Sequence, residues 1–312
     1  MSVYGSYLER ARAASSMLSS MEMAAGRRPA DLGLRLNVLS ARKIAERAER
    51  ELEQISAREH IDICRYRMVV SGRDSFSVKG VSRSLDTFQE MFTFVYDAIE
   101  DAPKNIARLP RDRRSETALE FGYTFAGSLG VVLVAPGQLS LFGGGKFDDA
   151  LDAINAMFDI SAEDGMRDAA RRLGKAAIQK VFEWSNANFG EGFDVDLKWL
   201  TPSSLQKGRY VPWIEFERVV GLIGRTSDKI TTDFSTHGTL VGFSSVARTF
   251  HFVVPDGDSF KGQLAEAFPA DQEWTINHPY AADLSSERTT TLATGDDVNR
   301  YRLHGLRDSQ IP

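Results

Sequence analysis

The 312-residue sequence predicts an α+β protein: an N-terminal helical hairpin packed on a mixed or antiparallel α+β domain, then a small all-β barrel, SH3-like or OB-like. Three observations predict it. Two long stretches with helical apolar spacing open the chain. Strand and helix patterns interleave from residue 61 to 200, and only short β-runs separated by turns remain from 229 to 306. The expected division is therefore a helical arm over 1–60, an α+β domain over 61–200, a linker with a short helix over 201–228, a barrel over 229–306 and a tail over 307–312.

The first helix follows from Tyr7, Ala11, Ala14, Leu18 and Met21, which recur on one stripe until Gly26 and Pro29 end it. The second spans about 40–59, with Ile44, Ala48, Leu52 and Ile55 on its apolar face. Its other face alternates basic and acidic side chains, the pattern of a solvated surface laced with i,i+4 pairs. Residues 61–70 alternate as a strand, and 85–99 form a helix whose wide aromatic face (Phe88, Phe92, Tyr96) marks packing on a core. Strands are expected at 119–125 and 128–135, the second turning through Pro136 and Gly137 into 138–142. Helices follow at 147–158 and 163–186. A strand of period two at 193–200 points Phe193, Val195, Leu197 and Trp199 one way and Asp194, Asp196 and Lys198 the other.

Thr201, Pro202, Ser203 and Ser204, then Lys207 and Gly208, read as the linker, and 213–223 as a short helix. Beyond it, β-runs are expected at 237–243, 249–254, 259–264, 273–276, 280–284 and 300–303, with a helical turn possible in 262–268.

Composition narrows the function classes. Apolar residues make up 42% of the chain, enough for folded cores, and no run approaches the roughly 18 apolar residues of a bilayer span. The N-terminal residues lack the regions of a signal peptide, and Cys64 is the only cysteine, so a cytoplasmic protein without internal disulfide is expected. The formal charge of −5 argues against a general polyanion grip.

Gly143, Gly144, Gly145 and Lys146 precede a helix, where backbone amides can hold a phosphate, but a P-loop needs glycine at Ser140 and a hydroxyl at Phe147. Arg111, Arg113 and Arg114, with Arg108 beside them, form one basic cluster; Arg167, Arg171 and Lys175 form a stripe every four residues. Joined, these could accept a nucleotide or a nucleic-acid backbone. Gly127 and Ser128 echo the glycine-serine of nucleotidyltransferases, yet the next strand (Val131, Val132, Leu133, Val134) offers no metal ligand. Ser128 followed by a β-run is a turn rather than a nucleophile elbow. Asp194 and Asp196 read as a solvated strand face, the five histidines show no zinc spacing, and Cys64 fits a buried strand position.

No catalytic residue, metal site or cofactor is therefore expected. The sequence favours a non-catalytic binding or regulatory protein acting through protein–protein contacts, such as an adaptor or accessory subunit of a bacterial-type complex. A protein partner or self-association is expected, with Met17, Met21, Phe250 and Phe252 as contact residues. Between Lys229 and Leu306 acidic side chains outnumber basic ones, which turns the barrel away from nucleic acid. The alternative is a nucleotide- or nucleic-acid-binding protein using the two basic clusters with the 143–146 loop. No membrane partner is expected.

Overall fold

The computed structural model describes residues 3–70, 75–125, 128–135, 146–201, 206–270 and 272–309, apart from the Lys146 side chain. The chain is mixed helix and sheet, and it forms two compact units, Met1–Arg225 and Thr226–Pro312.

The first unit begins with α1 (Val3–Arg27) and α2 (Leu32–Arg58). Asp31 sets the start of α2: its carboxylate accepts from the Leu34 amide at 3.1 Å, satisfying one of the donors a helix N-terminus leaves free. The helix thus begins well before residue 40, the start its Glu, Lys and Arg pattern suggested. Next come β1 (Asp62–Val70) and α3 (Val78–Glu100), capped by Ser77 through the Gly80 amide at 2.8 Å. The short α4 (Arg111–Glu116) leads to β2 (Glu120–Phe125) and β3 (Leu129–Ala135), which pair antiparallel. The hairpin is thus β2–β3. The strand expected at 138–142 lies outside the described residues.

After α5 (Lys146–Asp159), the helix expected over 163–186 is two helices, α6 (Glu163–Leu173) and α7 (Lys175–Glu191). Gly174 breaks it with φ at +85°, and a Cβ there would collide with the Lys104 backbone, so the chain turns where the 101–110 loop packs closely. The strand β4 (Phe193–Leu200) follows, and the segment read as a linker carries β5 (Gln206–Val211) and α8 (Trp213–Arg225). These two elements belong to the first unit, with β5 pairing along β4 and α8 packing on α7.

The sheet order is β2-β3-β1-β4-β5, antiparallel throughout. Because side chains alternate along each strand, one face presents Tyr66, Met68, Val195 and Trp199 beneath α3, α5 and α7, where Phe88, Phe92 and Trp184 complete an aromatic core. The other face offers Ile63, Val132, Val134 and Tyr123 to the inner halves of α1 and α2.

The second unit contains β6 (Ser227–Ser244), β7 (Thr249–Val253), β8 (Ser259–Leu264), β9 (His278–Thr291) and β10 (Asp297–Asp308). They pair in the order β10-β8-β7-β6-β9, and β9 pairs in turn with β10. Leu240, Phe250, Phe252, Tyr280, Leu284 and Leu303 fill the interior. Glycine permits the closest crossing: a Cβ at Gly262 would strike the Tyr301 carbonyl on the neighbouring strand. The expected run at 273–276 is not a strand, while Ala265–Phe268 makes a turn closed by the Phe268 amide on the Ala265 carbonyl at 3.0 Å.

Candidate docking surface and buried polar clusters

The helical arm is built in two halves. Near the sheet, Tyr4, Ala11 and Ala14 of α1 and Ala45, Ala48 and Leu52 of α2 are buried in the core. Polar contacts fix this half: Arg12 donates to the Gly122 carbonyl at 2.7 Å, Ser15 Oγ to the Thr124 carbonyl at 2.8 Å, and Arg65 pairs with Glu49 at 2.5 Å. Further out the packing changes. From residue 16 to residue 40 no side chain is fully buried, so this part of the arm is held by helix-on-helix contact.

On that outer half, Leu32, Leu36 and Leu39 are 69%, 64% and 53% exposed. At about 100° per residue the three fall within an arc of roughly 60°. Ala41, Ala45, Ala48 and Leu52, four of the five buried residues of α2, lie on the opposite side of the helix. Packing against α1 therefore does not account for the leucines. Arg42 and Arg47 on the margins pair with Glu22 at 2.8 Å and Glu51 at 2.9 Å, whereas Arg35 and Lys43 make no ion pair among the described residues. Met17 and Met21, the expected contact residues, are only half-exposed. The leucine stripe lies ahead of residue 40, where the charge pattern predicts the helix to start; Asp31 followed by leucines spaced four and three apart is the sequence signal for it.

Phe250 and Phe252 are corrected as partner contacts: both are buried inside the second unit, 3% and 0% exposed, with Phe252 directly opposite Phe260. Period-two alternation put them on one face, and that face is the interior.

Four of the basic residues, Arg113, Arg114, Arg167 and Arg171, are met by nearby acids. Arg113 donates to Asp97 at 3.1 Å and Glu116 at 2.8 Å and lies over the Tyr96 ring, while Arg114 pairs with Glu90 at 2.8 Å. Arg167 pairs with Glu163 and Asp164, and Arg171 with Asp168 at 2.8 Å on open surface. Arg111 opens α4 on the exposed side and Lys175 opens α7. α4 and α6 each pack on α3. Gly143, Gly144 and Gly145 lie outside the described residues, and Lys146 is placed as the first residue of α5.

The aspartate pair of β4 is not a solvated face. Asp194 is buried, accepting from the Trp213 amide at 2.8 Å and the Tyr210 hydroxyl at 2.7 Å, so it caps α8; Asp196 pairs with Arg67 at 2.7 Å. Ser128 sits in the β2–β3 turn with φ at +68°. Cys64 is buried, and that burial pushes its thiol up, away from the reactive thiolate. Among the described residues no three His, Cys, Asp or Glu side chains are grouped to hold a metal. On the outside of the second unit His304 Nε2 and Ser285 Oγ are 2.8 Å apart beside a hollow lined by Asp233, Ser235 and Asp283. Asp283 is taken by Ser235 and Arg307, and among the described residues no carboxylate bonds the other His304 ring nitrogen. A serine–histidine pair needs such an orienting group to act as a nucleophile.

Two buried carboxylates in the first unit escaped the sequence reading. Asp97 is held between Lys104 Nζ at 2.5 Å and Arg113, and it keeps the Lys104 ammonium above its ordinary range. Asp62 accepts from the Trp199 indole and is pushed up to about 6 by burial. Neither has a local spacing signal, since their partners lie on other elements. Comparison of the chain with protein-family models, curated proteins and solved structures finds no match.

Proposed function

We propose that this chain is a non-catalytic binding or regulatory protein of the cytoplasm, an adaptor or accessory subunit working through protein–protein contacts. Its docking element is the α1–α2 arm, and the chain over 229–306 is a small barrel of the SH3-like or OB-like kind. The exposed Leu32, Leu36 and Leu39 stripe supports this reading. Fully burying a leucine side chain is worth about 1.5–3 kcal/mol, so three on one narrow stripe offer a partner a large apolar contribution at little cost in ordering, because the helix is already formed. The nucleotide or nucleic-acid reading has less support. A phosphate arriving at Arg113 or Arg114 must displace Asp97, Glu116 or Glu90, and one of those carboxylates is fully buried.

Photo-crosslinking in cells tests the reading. A photoreactive residue at Leu36 is expected to give a discrete protein adduct that the same residue at Arg58, near the base of the arm, does not give. Adducts absent at Leu32, Leu36 and Leu39 alike would reject it. Salt-sensitive oligonucleotide binding lost in Arg113→Ala/Arg114→Ala would move the conclusion to the alternative.

A further inference from the structure

We propose that the occupant of the leucine stripe is an acidic amphipathic helix of another protein, docked as a short coiled-coil seam; this rests on the reading that the arm docks a protein. Leu32, Leu36, Leu39 and Lys43 are spaced four, three and four apart, the alternation of a heptad seam. Taking Leu36 and Lys43 as a positions and Leu32 and Leu39 as d positions places Ala41, Ala45, Ala48 and Leu52 at c and f, the side away from the seam. They are four of the five residues that the structure buries on α2; the fifth, Ser56, lies at the base of the arm and falls at g. The assignment is thus anchored by burial that it did not use.

The same assignment puts Arg35 and Arg42 at g and Arg47 at e, with Lys43 on the seam itself; Glu46, at the following d position, is the one acidic residue on the seam up to Arg47 and ends the leucine run. A second copy of this chain is a poor occupant. In a parallel pair Lys43 would face Lys43 and Arg42 would face Arg47; in an antiparallel pair the g arginines would face each other. Like charges so placed disfavour the homodimer, Lys43 most of all, since Arg42 and Arg47 are already paired with Glu22 and Glu51; Glu or Asp flanking a leucine seam meets Arg35 and Lys43, which make no ion pair among the described residues. An anionic bilayer also offers negative charge. However, an arc of roughly 60° is a coiled-coil seam and falls short of the broad apolar face, about 100° or more, that a helix lying in a membrane presents.

The full chain is titrated by fluorescence anisotropy with two designed helical peptides that share a leucine a/d seam, one with Glu and one with Lys at every e and g position. The Glu peptide is expected to bind at least about tenfold more tightly than the Lys peptide, a gap that narrows with salt. Leu36→Glu/Leu39→Glu is expected to abolish binding with the circular dichroism spectrum unchanged, and Arg35→Glu/Lys43→Glu to reverse the peptide preference. Equal binding, or preference for the Lys peptide with leucine dependence intact, overturns the acidic partner and leaves protein docking standing, as does a leucine-dependent dimer of the chain alone. Binding of neither peptide, with leucine-dependent sedimentation on phosphatidylglycerol vesicles, overturns both. Binding of nothing in any arm also overturns the proposal.

Discussion

Trp199 Nε1 donates to Asp62 Oδ1 at 2.8 Å from the neighbouring strand, and both residues are buried, so the indole is the hydrogen bond that compensates a carboxyl group in the aromatic core. Burial raises the Asp62 carboxyl to about 6, the Trp199 bond opposes the rise, and nearby Asp148 adds to it. A folded state that holds this proton more tightly than the unfolded chain is favoured while the group is protonated. That contribution is complete below about pH 4 and is lost as pH climbs through 6. Asp62→Asn keeps an acceptor for Trp199 without the charge, so it should stabilise the protein at pH 8 by about 2–3 kcal/mol, the gain fading toward pH 4. Urea unfolding across that range checks this, and a gain independent of pH would count against it.

Asp97 is a second buried carboxylate, and it is paired with two cations. Lys104 and Arg113 reach it from the loop and from α4, so it ties both segments to α3. Asp97→Ala leaves two partly exposed cations without their common anion and should cost about 2–3 kcal/mol, less than a fully buried pair would lose because water reaches both. Urea midpoints give the magnitude. Limited proteolysis should show new cleavage between residues 101 and 110, and a cleavage pattern like the wild type would contradict the tethering role.

The elements most legible in the sequence were those whose signal is local. Period two at Phe193, Val195, Leu197 and Trp199 marks β4, and the aromatic face of Phe88, Phe92 and Tyr96 marks α3, because each pattern repeats within its own element. The α6–α7 break is hidden in the sequence since Gly174 is punctuation only in the presence of Lys104, far earlier in the chain, and tertiary contact decides such cases. Charge pattern also misled where it was read without partners. Asp194 looks solvated beside Lys198, but the amide of Trp213 draws it inward. Phe250 and Phe252 are aromatic residues on a shared strand face, and sharing a face is equally the property of a core. The leucine stripe is the converse, since its residues look like core in sequence and stand in solvent in the structure.

Gly174 makes a prediction of its own. Its φ of +85° with ψ of 152° is a conformation almost confined to glycine, and the Lys104 backbone occupies the space of a Cβ. Gly174→Ala therefore meets strain and a clash with an immovable backbone, and a loss of at least about 2 kcal/mol is expected in thermal or urea unfolding. At Gly190, where a Cβ would meet nothing, the same change inside α7 should be neutral or stabilising. Equal effects at the two glycines would show that helix propensity, not the Lys104 contact, sets the cost.

If Leu36 and Leu39 serve a partner, the folded chain alone should not need them. Both point away from α1, so Leu36→Gln/Leu39→Gln removes little packing and should change stability by no more than about 0.5 kcal/mol. Leu52, on the opposite side of the same helix and 1% exposed, is the internal control: Leu52→Ala opens a cavity between the arm and the sheet and should cost about 2–5 kcal/mol. The glutamine pair should also reduce non-specific association of the chain at high concentration, because it takes away an exposed apolar stripe. A marked loss of stability on changing the leucines would mean that they are buried in the working protein by its own chain, and the docking argument would lose its footing.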